Sequence, residues 1–288
     1  MAEMSSIKSL RNRLQDKGNG KFYSDWTEFL PRLFSIYFSR IFILLNVSAN
    51  QITLLSILLG LMVASIIIFA NSGAILIAAT ILFFIPILDC CDGEVSRFFG
   101  KGSCSGEYLD RIAGTIIYPV ILFSIGLWVF QYSGNLVDII VGFIAGFSLV
   151  LMRLSISYIP ACALEDYYNS LSKPKTQKRS SYVPSITMSF ERIIEKPAFS
   201  KNSFLINLFS DLFITKTWGI IYWIWVAGLC SAISLMLNID LYIFYMLRAL
   251  IWLFAIIGPV ASSYIILQAI NNKIPEKIIQ ELTDNKQL

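Results

Sequence analysis

Residues 74–97 read AILIAATILFFIPILDCCDGEVSR, and this stretch decides the fold. It carries no charged residue from Ala74 to Leu88, and then four ionisable side chains follow before position 98. A long uncharged run is typical of a membrane-spanning helix, which needs roughly 20 mostly apolar residues. Ionisable residues at the end of a span are costly, so each is a candidate functional residue. The stretch therefore predicts a transmembrane helix that ends in a polar site.

The composition of the whole chain agrees with a membrane location. Of its 288 residues, 56% are hydrophobic and only 15% are charged, whereas a soluble domain carries about a quarter charged residues. This excludes an ordinary soluble domain. The formal net charge of +4 is explained by basic loops, so no nucleic-acid partner is expected.

Apolar runs between short polar breaks predict an all-α polytopic membrane protein with six transmembrane helices. The six predicted spans are 51–70, 74–93, 108–131, 136–159, 215–237 and 241–270. The turns at 71–73, 133–135 and 238–240 contain no Lys or Arg, while the other connecting segments and both ends of the chain are basic. By the positive-inside rule, both termini and the long 160–214 loop lie in the cytoplasm. We therefore expect a multi-pass protein of the cytoplasmic (inner) membrane.

The segment before the first span mixes large apolar residues with arginines. Residues 26–45 include Arg32 and Arg40 among aromatic and aliphatic side chains, which predicts an N-terminal amphipathic helix lying on the cytoplasmic face. A simple extension of the first span is the alternative. The resulting division is a cytoplasmic N-terminal segment with the amphipathic helix (1–46), a six-helix membrane domain (47–270) and a cytoplasmic tail (271–288).

The polar end of the second span has the periodicity of a functional helix face. Steps of three and four residues on a helix share one face, and these steps relate Asp89, Asp92, Gly93, Ser96 and Arg97. Gly106 and Asp110 are four residues apart and share a face at the start of the third span.

The residue types on these two faces indicate a metal and phosphate site. Three carboxylates form an oxygen-rich set that suits Mg²⁺ or Mn²⁺, and the chain has no His to favour zinc. Arg97 can clamp phosphate oxygens in a bidentate way. Gly93 and Gly106 let a nucleotide approach the backbone. The alternative is that the aspartates only mark helix ends and pair with nearby basic residues.

One spacing in the chain closely resembles the motif of the CDP-alcohol phosphotransferase family, D-x2-D-G-x2-A-R-x8-G-x3-D-x3-D: Asp89-x2-Asp92-Gly93-x2-Ser96-Arg97-x8-Gly106-x3-Asp110. Residues 48–54, SANQITL, are similar to the family's T-P-N-x-(I/V)-T-L entry to the first span, with Ala49 in place of proline.

This resemblance implies an enzyme that transfers a substituted phosphate group from a CDP-linked donor to an alcohol acceptor and releases CMP. The donor is CDP-diacylglycerol or another CDP-alcohol, the acceptor is possibly phosphorylated, and the product is a phospholipid or phosphodiester. Family members are usually homodimers in contact with membrane lipid, with a site that opens to the cytoplasmic leaflet. Carried over by position, the metal ligands are Asp89, Asp92 and Asp110, and Asp110 also counts as catalytic. The CDP pocket is carried over onto Asn50, Thr53, Asp92, Gly93, Ser96, Arg97 and Gly106.

Two positions depart from the motif. Ser96 stands where the family has alanine, which is a small change. Gly114 stands where the family has its last aspartate, which is taken as a metal ligand and as the base for the acceptor hydroxyl. Glu107 is the best replacement base, because it lies one turn before Asp110 on the same face, and Glu94 is second. An acceptor that needs no protein base is another explanation, and a family member that binds a CDP compound without turnover is a third.

Outside the motif, four features have two interpretations each. Arg153 binds an acceptor phosphate or a lipid headgroup, or extends to the membrane interface; Arg248 is expected to extend to the interface. Gly142 and Gly146 form a GxxxG pair, which favours helix packing within the chain over a dimer contact. Trp128 is expected to anchor at the membrane interface. A small transporter is the remaining alternative function, and the clustering of carboxylates at the cytoplasmic end counts against it.

Overall fold

The computed structural model describes residues 7–15, 26–69, 72–100, 102–172, 226, 241–271 and 273–278, and the regular structure within these residues is helical. The expected all-α class is therefore confirmed for the described part of the chain. Its helices are α1 (Ile7–Gln15), α2 (Trp26–Leu44), α3 (Ala49–Phe69), α4 (Ser72–Phe99), α5 (Cys104–Ser133), α6 (Leu136–Ser172) and α7 (Leu241–Asn271).

Within the described residues, five helices are long and apolar enough to cross a membrane. They are α3, α4, α5, the part of α6 up to Tyr158, and α7 from Ile243. The chain is thus a multi-pass membrane protein. The predicted span at 215–237 lies outside the described residues except for Val226, so the count of six spans stays a prediction, as does the cytoplasmic location of the termini.

Three helices extend beyond the apolar runs that predicted them. Helix α4 continues to Phe99 instead of ending at 93, and α5 begins at Cys104 instead of 108. Helix α6 continues to Ser172, so the first part of the predicted 160–214 loop is helical, while 173–214 lies outside the described residues. Apolarity marks the section of a helix that lipid can cover, and polar residues extend the helix past that section.

The membrane helices pack around a common core. Helix α3 packs against α4 and α5, α5 packs against α6, and α7 packs mainly against α6. Leu82, Ile121 and Phe254 are among the fully buried core side chains. Trp128 belongs to this core and is 1% exposed, so the expectation that it anchors at the membrane interface is wrong. The indole packs between helices instead, where it fills a large volume.

Glycine allows α5 and α6 to approach closely. A Cβ atom on Gly126 would lie 2.8 Å from the Cα atom of Gly142, and one on Gly146 would lie 2.7 Å from the Pro119 carbonyl oxygen. Small residues at such a crossing let two backbones meet. The GxxxG pair is therefore used for packing within the chain.

An ion pair closes the end of the bundle that lies away from the motif. Arg248 Nε on α7 donates to Asp138 Oδ1 on α6 at 2.9 Å, and Ser133 Oγ donates to Asp138 Oδ2 at 2.6 Å. Asp138 is fully buried. Arg248 thus finds a carboxylate partner inside the protein, rather than simply reaching out to the interface as expected.

Helices α1 and α2 lie at the motif end of the bundle, where α2 packs on α4 and α1 contacts both. Helix α2 is separate from α3, because residues 45–48 are not helical and Asn46 has a φ of 53°. Phe29, Phe34 and Tyr37 are exposed on one side of α2, whereas Ser35 and Ser39 on the other side are fully buried. An apolar outer side suits the predicted position on the membrane surface, which stays a prediction.

Candidate active site

Helix α4 carries the first half of the motif on one continuous face. Because the helix runs unbroken to Phe99, Asp89, Asp92, Gly93 and Arg97 follow one another by helical steps as predicted. Asp92 is buried, Asp89 is partly buried and Arg97 is exposed. Ser96 Oγ donates back to the Gly93 carbonyl oxygen at 3.2 Å, so this hydroxyl is engaged within its own helix.

Helix α5 begins with a side-chain cap that fixes the second half of the motif. Ser103 has extended backbone geometry, and its Oγ atom accepts a hydrogen bond from the Gly106 amide at 3.1 Å. Serine is a favoured N-cap because it satisfies an amide that the helix itself cannot. The cap places Gly106, Glu107 and Asp110 in the opening turns of α5.

Asp89 and Asp110 meet between the two helices. Their side chains are hydrogen-bonded to each other, and Asp92 adds a third negative charge beside them. Two carboxyl groups in contact must share a proton or bind a cation, because two bare negative charges repel strongly. The structure thus brings together the three aspartates that the sequence predicted as one group.

Helix α3 supplies the polar residues opposite Asp92. Its start is a capping box, in which Gln51 Oε1 accepts from the Ser48 amide at 2.9 Å and Ser48 Oγ accepts from the Gln51 amide at 3.4 Å. One turn later, Thr53 Oγ1 donates to Asp92 Oδ2 at 2.7 Å, and both residues are buried. The hydroxyl therefore orients this carboxylate.

Two glycines of the motif allow side chains to lie close to the backbone. A Cβ atom on Gly106 would be 3.1 Å from Asn50 Oδ1, so Asn50 reaches the start of α5. A Cβ atom on Gly93 would be 3.2 Å from Arg97 Nη1 and 3.5 Å from Nη2. The guanidinium thus lies over Gly93, on the same helix face as the aspartates.

The donor set is suited to a hard divalent cation, although the side chains do not form a complete site. Carboxylate oxygens are the ligands that Mg²⁺ and Mn²⁺ prefer, and the contact between Asp89 and Asp110 is one that a cation would relieve. However, within the described part of the chain no three Cys, Asp or Glu side chains are close enough to hold a metal ion. Asp92 is turned toward Thr53. The residues fit the group in chemistry, and Asp92 is the ligand that has to rotate.

Position 114 is filled by an arginine from α6. A Cβ atom on Gly114 would lie 2.6 Å from Arg153 Cζ and 2.7 Å from Nη2. The same guanidinium lies over the Tyr118 ring, with Cζ 5.3 Å from the centroid, and its charge acts on Asp89 and Asp110. Arg153 therefore points into the site from the side where the motif has its last carboxylate.

The two candidate replacement bases have very different surroundings. Glu107 is exposed and pairs with Arg111, whose Nη2 donates to Glu107 Oε1 at 2.7 Å. Glu94 is fully buried and accepts hydrogen bonds from Gln15, Ser35 and Ser39. Those donors occupy both oxygens of Glu94, so it is poorly placed to take a proton from a substrate.

A comparison with protein families matches the segment that contains this site. The model described as CDP-alcohol phosphatidyltransferase matches residues 46–193, which is just over half of the chain. The matched segment begins just before the capping box of α3 and includes all the predicted site residues. No curated protein gives a significant match to the chain.

Proposed function

The chain belongs to the CDP-alcohol phosphatidyltransferase family, and we propose that it transfers a substituted phosphate group from a CDP-linked donor to an alcohol acceptor with release of CMP. Membership implies transfer of a phosphate group from a CDP-alcohol in lipid synthesis. The observation that carries the proposal for this chain is the meeting of Asp89, Asp92 and Asp110 beside Thr53 and Asn50. That arrangement brings a cation-binding carboxylate group next to a polar pocket.

The family generally depends on a divalent metal, and in our proposal Asp89, Asp92 and Asp110 hold Mg²⁺ or Mn²⁺. When bound, the cation would supply positive charge to the diphosphate of the donor. Thr53 keeps the Asp92 carboxylate oriented through the 2.7 Å hydrogen bond. Asn50 and the glycine backbones at 93 and 106 line the pocket for the cytidine diphosphate, and Ser96 lies at its edge.

Arg97 and Arg153 carry the remaining positive charge of the proposed site. Arg97 lies over Gly93 and would bind oxygens of the diphosphate as a fork. Arg153 lies beside Gly114, where an acceptor that carries its own phosphate would meet a guanidinium. We therefore favour a phosphorylated or otherwise anionic acceptor over a neutral alcohol.

In the reaction, the acceptor oxygen bonds to the phosphorus that carries the donor's alcohol group. The bond between that phosphorus and the oxygen of CMP breaks, and CMP leaves with the electron pair. The proton of the acceptor hydroxyl goes to a base, for which we propose Glu107, one turn from Asp110. Opening of its exposed ion pair with Arg111 costs little, because such surface pairs contribute about 1 kcal/mol or less.

A second candidate function is binding of a CDP compound without turnover. The observation that favours it is at position 114, where glycine replaces the motif's last carboxylate and the Arg153 guanidinium fills the space. A guanidinium cannot accept a proton from the acceptor. In either case we propose that the protein is a homodimer in the cytoplasmic (inner) membrane, with the site facing the cytoplasm and the surrounding lipid.

Thermal unfolding of the detergent-purified chain tests the proposal. We expect CDP together with Mg²⁺ to raise the melting temperature, with a much smaller effect of CDP alone or of ADP with Mg²⁺, and we expect Asp92→Asn to abolish the rise. A screen of acceptors for CMP release, with CDP-diacylglycerol and with soluble CDP-alcohols, then separates the two candidate functions. Absence of metal-dependent stabilisation by CDP would exclude both.

A further inference from the structure

Two hydrogen bonds tie the N-terminal helix α1 to the motif end of α4. Arg97 Nε donates to the Leu14 carbonyl oxygen at 2.8 Å, and Gln15 Nε2 donates to Glu94 Oε1 at 2.8 Å. Leu10 and Leu14 are 3% and 2% exposed and belong to an apolar cluster that includes Val95 of α4. Helix α1 is therefore packed beside the residues that we assign to the donor site.

Glu94 fixes the position of α1 on α4. Besides the bond from Gln15, Ser35 Oγ donates to Glu94 Oε1 at 2.5 Å and Ser39 Oγ donates to Glu94 Oε2 at 2.6 Å. The carboxylate is fully buried, and a buried charge is strongly destabilising unless hydrogen bonds surround it. These donors come from α1 and α2, so both helices must be docked in register for Glu94 to be satisfied.

The docked α1 in turn orients the Arg97 guanidinium. With Nε held by the Leu14 carbonyl, the planar group lies over Gly93, where Nη1 is 3.2 Å from the place of a Cβ atom. The Nη groups of Arg97 carry the donors that match two phosphate oxygens. A guanidinium held in place before the ligand arrives loses less conformational freedom on binding.

We propose that α1 is part of the donor site, because the Leu14 carbonyl positions Arg97 for the diphosphate and Gln15 holds α1 in register through Glu94. The inference rests on the proposed binding of a CDP-linked donor. Residues 7–15 lie outside the 46–193 segment that matches the family, so the positioning element is supplied by a part of the chain beyond that segment. Gln15 and Glu94 are positioning residues and do not touch the donor.

Affinity for CDP in the presence of Mg²⁺, measured by calorimetry on the full chain in detergent, tests this inference. Gln15→Met keeps the length of the side chain and removes its donors, and we expect it to weaken the Kd about tenfold, in line with the loss of a hydrogen bond to a buried charge. Asn12→Ala, on the exposed side of the same helix, is the control and should leave the Kd unchanged.

A double variant separates positioning from general stabilisation. Lysine has no Nε donor in a planar fork, so Arg97→Lys already loses the positioned guanidinium. We expect Gln15→Met to have no further effect on the Kd in the Arg97→Lys background. A role in stability alone would lower the melting temperature of the ligand-free protein and leave the Kd of Gln15→Met at the wild-type value.

Hydrogen exchange on the wild type supplies a readout that does not depend on Gln15→Met folding. CDP with Mg²⁺ should slow amide exchange in residues 7–15, and should not do so in Arg97→Lys. The inference is overturned if Gln15→Met binds CDP within twofold of wild type, if its effect persists in full with Arg97→Lys, or if exchange in α1 does not respond to CDP. Wild-type protein that does not bind CDP at all would overturn the proposed function as well.

Discussion

The guanidinium of Arg153 lies against the backbone of Gly114, in the space that a side chain at position 114 would fill. It also lies over the Tyr118 ring, and its positive charge acts on Asp89 and Asp110. The place of the motif's last carboxylate is therefore taken by a cation from α6. Glycine is required there, because even a methyl group would displace the arginine.

The first prediction concerns this steric relation. Gly114→Ala should displace the Arg153 guanidinium and lose its contact with Tyr118, lowering the free energy of unfolding by about 1 kcal/mol, the usual size of a cation–π contact. In an Arg153→Ala background the added methyl group meets no guanidinium, so the same substitution should cost little. Thermal unfolding of the four proteins measures this coupling. Equal costs of Gly114→Ala in both backgrounds would show that the two residues act independently.

The second prediction concerns the missing base. Gly114→Asp should not by itself increase CMP release, because a carboxylate next to Arg153 would form an ion pair, and a nearby positive charge disfavours uptake of a proton. The combination of Gly114→Asp with Arg153→Ala frees that carboxylate and should release more CMP than Arg153→Ala alone with a neutral acceptor such as serine. A gain from Gly114→Asp alone that matches the gain of the double variant would contradict this account.

The third prediction concerns the hydroxyl that orients Asp92. Thr53→Val keeps the shape of the side chain and removes a 2.7 Å hydrogen bond to a buried carboxylate, so it should destabilise the protein by about 1–3 kcal/mol. It should also reduce the Mg²⁺-dependent thermal shift with CDP, because Asp92 loses its fixed orientation. Thr80→Val is the matched control, since the exposed Thr80 hydroxyl donates to the Leu76 carbonyl of its own helix. Similar losses in both variants would argue against a special role for Thr53.

The motif face was predictable because a helix repeats in a regular way. Asp89, Asp92 and Arg97 are spaced by helical steps, and α4 continues through all of them, so one residue spacing specified their common face. The resemblance to the family then paired this face with Gly106 and Asp110 on α5. Local periodicity and a known motif together sufficed for this part of the site.

Contacts between distant segments were not predictable in the same way. Ser35 and Ser39 are four residues apart in an apolar helix, which was the available sign of a buried polar partner, yet nothing in the sequence identified Glu94 as that partner. Arg153 was recognised as a candidate, but its meeting with Gly114 depends on the rotation of α6 about its axis. Trp128 was misjudged because its sequence does not reveal whether an indole faces lipid or another helix.

The last prediction concerns Glu107 as the base. Glu107→Gln keeps the size of the side chain and removes its ability to take a proton, so it should lower CMP release by about 10²–10⁴-fold, the range for loss of a general base. Binding of CDP with Mg²⁺ should stay close to the wild-type value, because Glu107 acts on the acceptor. Arg111→Gln is the control, since it breaks the 2.7 Å ion pair but leaves the carboxylate able to accept a proton, and it should retain turnover. Unchanged CMP release by Glu107→Gln would leave the acceptor itself, held by Arg153, as the source of the attacking anion.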